Sequence, residues 1–96
     1  MKSQPKLISE EHNMPLFLDI HQLVEGVTAE QIEEAHKKDL AVQKKYGVKY
    51  LKYWYDVTSG RAFCLMEAPN KEAAIAVHRE AHGLMADEVI EVVEGA

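Results

Sequence analysis

Hydrophobic residues recur with two different periods along this 96-residue chain, and the order of the periods limits the folds open to it. Over residues 15–23 the apolar positions alternate with a period of two, which is typical of a strand. A helical period follows up to Gly47, and two valine-rich and aromatic-rich runs then occupy residues 48–55 and 62–67. A second helical run over residues 72–82 and an apolar run over residues 88–93 complete the pattern.

The residues at the ends of these runs agree with the assignment. Thr28 and Gln31 have the spacing of a capping box that opens the first helix, and Gly47 is a typical C-terminal stop. Asn70 is a suitable N-cap for the second helix, which Gly83 should end. The turn signal of residues 58–60 between the two middle strands predicts a hairpin.

The resulting order of strand, helix, strand, strand, helix, strand predicts an α+β, ferredoxin-like βαββαβ sandwich with both helices on one face of an antiparallel sheet. The other face of the sheet would then be bare. Some of the large apolar and aromatic residues of the strands are expected on it, from the set Phe17, Tyr50, Tyr53, Trp54, Phe63 and Leu65. In a chain this small a second subunit is the simplest cover, so we expect a homodimer.

Length and composition agree with one domain. A chain of 96 residues supports a single core, which we assign to residues 14–96, with residues 1–13 as an N-terminal extension. The net charge of −5 and the lack of a basic run argue against a nucleic-acid partner. One cysteine, Cys64, permits no internal disulfide, and no segment is apolar enough for a membrane helix or a signal peptide. A cytoplasmic location without a membrane partner is expected.

Histidine spacing gives the clearest chemical signal. His78 and His82 are four residues apart on the second helix, so one face presents two imidazoles that can hold one divalent ion. Zinc, nickel, copper and cobalt all accept such ligands, and a partly buried pair without an ion is the alternative. Arg79 follows His78, where the metalloprotease motif requires glutamate, so that class is excluded.

Two further pairs combine a histidine with a carboxylate. Asp19 and His21 share one face of the first strand, and His36 and Asp39 share one face of the first helix. Each pair fits a metal ligand with its carboxylate partner, an acid–base dyad or a structural hydrogen bond. His36 and His78 each interrupt an apolar stripe, which places them toward the sheet, where a hydrogen-bonded core histidine is the competing interpretation.

Cys64 lies within an apolar strand and is expected to be a small buried hydrophobic residue. A nucleophilic role would require a depressed thiol pKa and a histidine within reach. The sequence has no glycine-rich phosphate loop, no paired-cysteine zinc motif and no serine elbow, and the enzyme classes built on them are unsupported.

Several motifs in order resemble a small bacterial nickel-binding, nickel-responsive family. The resemblance spans residues 14–94 and rests on Asp19-Ile20-His21, Ala35-His36-Lys37-Lys38-Asp39-Leu40, Tyr53-Trp54, Phe63-Cys64-Leu65, Glu67-Ala68-Pro69 and Val77-His78-Arg79-Glu80-Ala81-His82-Gly83. It implies a dimeric ferredoxin-like fold and nickel held by histidines, with a role in sequestration or detoxification.

The family's histidine-bearing motifs map onto four histidines and two aspartates, namely His21, His36, His78, His82, Asp19 and Asp39. Accessibility favours the helix-end pair His78 and His82 as ligands over His36, which lies on the apolar stripe. His12, in the extension, matches no motif. The preference for nickel over other divalent transition metals rests on the resemblance alone.

Three functions compete at this point. The leading hypothesis is a divalent-metal protein, nickel preferred, that buffers or sequesters the ion and does not catalyse a reaction. The alternative is a dimeric ferredoxin-like enzyme or small-molecule binding protein, in which His21, His36, Asp39, Cys64 and His78 line an enclosed pocket. A purely structural dimer is expected if the histidines prove to be scattered.

Overall fold

The computed structural model describes residues 14–95 and contains four strands and two helices in the predicted order. The elements are β1 (Leu16–Gln22), α1 (Ala29–Val42), β2 (Lys49–Asp56), β3 (Arg61–Glu67), α2 (Lys71–Ala81) and β4 (Glu88–Val92). A short 3-10 helix, Gln43–Tyr46, extends α1. The N-terminal extension with His12 lies outside the described residues.

The four strands form one antiparallel sheet in the order β2-β3-β1-β4. Strand β1 is central, and its Asp19 lies opposite Cys64 on β3 and Val89 on β4. This order, with the two helices connecting non-adjacent strands, is that of the ferredoxin-like sandwich, and the predicted α+β fold is confirmed.

The predicted caps begin and end the helices. The hydroxyl oxygen of Thr28 accepts from the backbone N–H of Gln31 at 3.1 Å, and the Gln31 side chain accepts from the N–H of Thr28 at 2.9 Å. Gly47 follows the 3-10 helix with a φ of 70° in the left-handed region, where glycine is preferred. The Asn70 side chain accepts from the N–H of Ala73 at 2.8 Å and opens α2.

The sheet has one face under the helices and one open face. Along β1, Phe17 and Asp19 point to the helices, where Phe17 packs with Tyr50, Met66 and Val77 in the buried core. The open face carries apolar side chains from all four strands, namely Leu16, Leu18, Ile20, Trp54, Phe63, Leu65, Ile90 and Val92.

Some of the six candidate residues lie on the open face as expected, namely Trp54, Phe63 and Leu65, and the other three face the helices. Phe17 and Tyr50 are buried in the core beneath the helices, and Tyr53 lies on the helix side, opposite Cys64. A shift in register between Tyr50 and Lys52 explains why Tyr50 and Tyr53 both face the helices. In a regular strand, residues three apart lie on opposite faces, and the irregularity places both tyrosines on one side.

No helix within residues 14–95 is long and apolar enough to span a lipid bilayer.

Candidate functional site

Five side chains form a continuous line of contacts between the helices and the sheet, which we call the His–Asp chain. In spatial order its members are His21, Asp19, His78, Asp39 and His82. Strand β1 supplies the first two, α1 supplies Asp39, and α2 with its C-cap supplies the two remaining histidines. The histidines are therefore not scattered, and the purely structural interpretation loses its main support.

His78 is the centre of the His–Asp chain. Its Nε2 donates to Oδ2 of Asp19 at 2.5 Å, and its Nδ1 donates to Oδ1 of Asp39 at 2.9 Å. Two donating ring nitrogens belong to the imidazolium form. Burial opposes this charge, but the two hydrogen bonds and the attraction of both carboxylates outweigh it and raise the pKa of His78 to about 9.

Both aspartates are buried, with Asp19 fully enclosed and Asp39 only 2% exposed. Burial raises the pKa of Asp19, but hydrogen bonds from His21 and His78 overcome it and lower the value to about 2. The pKa of Asp39 is likewise lowered, because hydrogen bonds from His78 and His82 outweigh its burial. Two buried carboxylates are thus held ionised around one imidazolium.

The two ends of the His–Asp chain are less buried than its centre. At one end, Nε2 of His82 lies 2.9 Å from Oδ1 of Asp39, while its Nδ1 accepts from the backbone N–H of Leu84 at 3.0 Å. That N–H assigns the ring proton to Nε2, which faces Asp39. At the other end, Nε2 of His21 lies 3.2 Å from Oδ1 of Asp19, which confirms that this predicted pair is adjacent.

His36 lies beside the His–Asp chain and contacts the sheet, as predicted. Its ring packs against Tyr53 at 4.5 Å and Tyr50 at 5.9 Å between centroids. Burial lowers the pKa of His36, and the attraction of Asp39 only partly opposes this. The hydrogen bonds of Asp39 go to His78 and His82, so the predicted pairing of His36 with Asp39 is replaced by contacts to the second helix.

Cys64 faces the same side of the sheet as Asp19. Burial raises the pKa of its thiol, and the negative charges of Asp19 and Asp39 raise it further. A nucleophilic cysteine requires the opposite shift, so the structure favours a packing role for Cys64, which is partly buried against the core and not fully buried as expected.

A cavity of about 600 Å³ opens above the His–Asp chain. Its lining includes all five residues that the small-molecule interpretation required to converge, namely His21, His36, Asp39, Cys64 and His78. His82 also borders it. The cavity brings solvent to the edge of the His–Asp chain, whose central residues stay buried.

Within residues 14–95, two groups of donor atoms are close enough to hold an ion, each with all donors within 4.8 Å of one another. The first is Asp39, His78 and His82; the second is Asp19, His21, Cys64 and His78. Imidazole nitrogen and carboxylate oxygen are ligands that nickel and related divalent ions accept, so the donor set fits. His78 belongs to both groups, and His36 belongs to neither.

Sequence reasoning identified five of these side chains but misjudged the exposure of one. His78 is only 2% exposed, so the expectation that it is an accessible surface ligand was wrong. The cause is that α2 packs this face against β1, where both ring nitrogens meet carboxylates. Sequence reasoning also missed that Cys64 joins a donor group, which depends on the β1–β3 register that places it opposite Asp19.

Comparison with known proteins identifies a family and a similar fold. Residues 17–92 match the family model described as nickel responsive protein SCO4226-like. The crystal structure of SCO4226 from Streptomyces coelicolor A3(2) is 42% identical in sequence, with a TM-score of 0.77, and the match covers 84% of this chain and 99% of that one. No curated protein shows significant sequence similarity. Because the family model matches most of the length of this chain, the chain belongs to the SCO4226-like family of nickel-responsive proteins.

Proposed function

We propose that this protein binds nickel as a cargo ion and buffers or sequesters it. The observation that carries the proposal is the convergence of Oδ1 of Asp39, Nδ1 of His78 and Nε2 of His82 beside a cavity open to solutes. The proposed ligands are these three residues, with Asp19 and His21 orienting His78 from its other side. His36 takes no ligand role.

Two of the three donor spacings fit the edges of a six-coordinate site. Ligands about 2.1 Å from a metal and at right angles to each other are about 3.0 Å apart. Oδ1 of Asp39 lies 2.9 Å from both Nδ1 of His78 and Nε2 of His82, close to that edge length. Three protein donors leave positions for water from the cavity, as expected of a site that releases its ion.

Binding at this site exchanges protons for the ion. The ring protons that Asp39 now accepts from His78 and His82 occupy the positions that the metal requires. A divalent ion would also offset the charge of the buried carboxylates after the Nδ1 proton of His78 leaves. Ion uptake should therefore release that one proton to the solvent. The ring proton of His82 moves from Nε2 to Nδ1, which then gives up its hydrogen bond from the N–H of Leu84.

We also propose that the protein is a homodimer that pairs through the open face of the sheet. Trp54 is 48% exposed and Ile90 is 42% exposed, a large apolar surface for one small chain. The outer strands carry opposite charges on this face, with Lys52 on β2 and Glu88 on β4. A two-fold axis parallel to the strands places β2 of one subunit over β4 of the other, so that the charges match.

The subunit proposal is tested by sedimentation velocity. A Leu18→Glu substitution at the centre of the open face should produce monomers, while Val24→Glu, on an exposed loop, should leave the dimer intact. A wild-type protein that sediments as a monomer at micromolar concentration would refute the proposal. The single cysteine and the buffering role together keep the cytoplasm as the proposed location.

Calorimetric titration of metal-free protein tests the metal function. Wild-type protein and the His36→Ala control should bind nickel saturably, and the His78→Ala/His82→Ala double variant should not. Comparison with zinc, copper and cobalt measures selectivity. Binding of every ion weaker than about 0.1 mM, which corresponds to about −5.5 kcal/mol, would refute the function. Unchanged nickel binding by the double variant would refute the site.

A further inference from the structure

The cavity above the His–Asp chain has a second property that metal binding does not use: most of its wall is apolar. One side is formed by the loop before α1 and the first turns of α1, and the other by the segment after α2. The apolar residues of these two sides are Leu23, Val24, Val27, Ile32, Ala35, Leu84 and Met85. At about 600 Å³ the cavity lies within the range of about 300 to 1,000 Å³ that is usual for small-molecule sites.

The charges around the cavity select against anions. Asp39 and Asp87 line it, and Asp19 lies directly beneath, bonded to His78. Among the lining residues in the described part of the chain there is no lysine or arginine. The cation next to these carboxylates is the His78 imidazolium, and it already donates both of its N–H groups to Asp39 and Asp19. A buried anionic ligand would therefore meet negative charge without a free cation to pair with.

One polar atom at the cavity still lacks a partner. Nδ1 of His36 is buried and makes no hydrogen bond within residues 14–95, although the ring borders the cavity. A buried nitrogen without a partner is costly, and rotation of the partly exposed His36 ring would turn it toward the cavity, where a polar group on a bound molecule would satisfy it. His36 is also the site histidine that belongs to neither donor group for a metal, so this contact does not compete with an ion.

From these observations we propose that the cavity binds a small, uncharged, largely apolar molecule with one hydrogen-bonding group, which pairs with Nδ1 of His36. The apolar body lies between the walls formed by Val27, Ile32, Ala35 and Met85. The proposed contacts use the walls and His36 and none of the three proposed metal ligands Asp39, His78 and His82.

A matched pair of fluorescent probes tests the proposal. N-phenyl-1-naphthylamine is uncharged and carries one N–H group, and 8-anilino-1-naphthalenesulfonate has the same skeleton with an added sulfonate. Titrations in EDTA keep the metal site empty, so a failure of metal binding cannot affect the result. The neutral probe should bind one per chain and at least about tenfold tighter than the anion, since the sulfonate would be desolvated next to carboxylates.

Two kinds of variant locate the probe. Ala35→Trp fills the cavity and should abolish binding, and Val27→Trp, in the preceding loop, does the same if the helical variant fails to fold. Trp54→Lys changes the open sheet face and should leave probe binding unchanged. His36→Phe keeps an aromatic ring but removes Nδ1, and it should weaken binding of the neutral probe severalfold.

The proposal requires both the preference for the neutral probe and the loss of binding in the folded cavity variants. Equal affinity for the two probes would overturn the charge argument. Probe binding that survives Ala35→Trp and Val27→Trp, or that disappears in Trp54→Lys, would place the probe on the open face and overturn the assignment of the cavity.

Discussion

Stability should fall between pH 6 and pH 8.5 because of one residue, His78. The pKa of His78 is about 9 in the folded protein against an ordinary 6.5. A group whose pKa is raised by folding stabilises the fold fully while it is protonated in both states. That contribution declines above pH 6.5 and is lost as the pH passes 9. Proton linkage with these two pKa values gives a loss of about 2 kcal/mol in the free energy of unfolding between pH 6 and pH 8.5.

Urea denaturation of metal-free protein at the two pH values measures this loss. His78→Gln should remove the decline. His36→Gln should retain it, because burial shifts the pKa of His36 in the opposite direction. The upper limit is pH 8.5 because the Cys64 thiol has an ordinary pKa of 9.0 in the unfolded chain. Below that limit, ionisation of this thiol contributes little to the measured loss of stability. Equal stability of the wild type at pH 6 and 8.5, or an undiminished decline in His78→Gln, would refute a charged, doubly bonded His78.

Three further outcomes follow from burial and capping. Met66→Ala should cost about 3 kcal/mol in urea denaturation, since Met66 is fully buried, whereas Met85→Ala at a 45% exposed residue should cost well under half of that; equal costs would contradict the core assignment. Asn70→Ala should cost about 1 kcal/mol by loss of the α2 cap, and no change would contradict the cap. Cys64 should react with Ellman's reagent far more slowly at pH 7 than free cysteine, and a comparable rate would contradict its raised pKa.

The order of the elements was predictable because its signals are local. The capping box of Thr28 and Gln31 and the cap at Asn70 lie within a few residues of the ends they determine. The two hydrophobic periods separate strands from helices in the same local way. A four-stranded βαββαβ chain then has few compact solutions, so the ferredoxin-like sandwich follows.

The faces of β2 were harder to predict, because the irregularity between Tyr50 and Lys52 has no clear local signal. It places both Tyr50 and Tyr53 on the helix side and leaves Trp54 on the open face. Pairing with β3 fixes this arrangement, and strand register is a property of the assembled sheet.

The candidate site was predictable as a set of residues but not as a network. Local spacing brought Asp19 next to His21 and placed His78 and His82 on one face. The bonds of Asp39 to both α2 histidines depend on the packing of α1 against α2, which helical periodicity does not specify. The same packing buries His78, so an expectation based on its position near a helix end gave the wrong exposure.

The location of the ion distinguishes this account most directly from binding elsewhere on an acidic chain. Anomalous diffraction at the nickel edge, from crystals of the nickel-loaded protein, gives that location without reference to affinity. A peak is expected about 2.1 Å from Oδ1 of Asp39, Nδ1 of His78 and Nε2 of His82. Peaks found only at exposed carboxylates or at histidines outside this group, with the His78 ring still bonded to both aspartates, would contradict it.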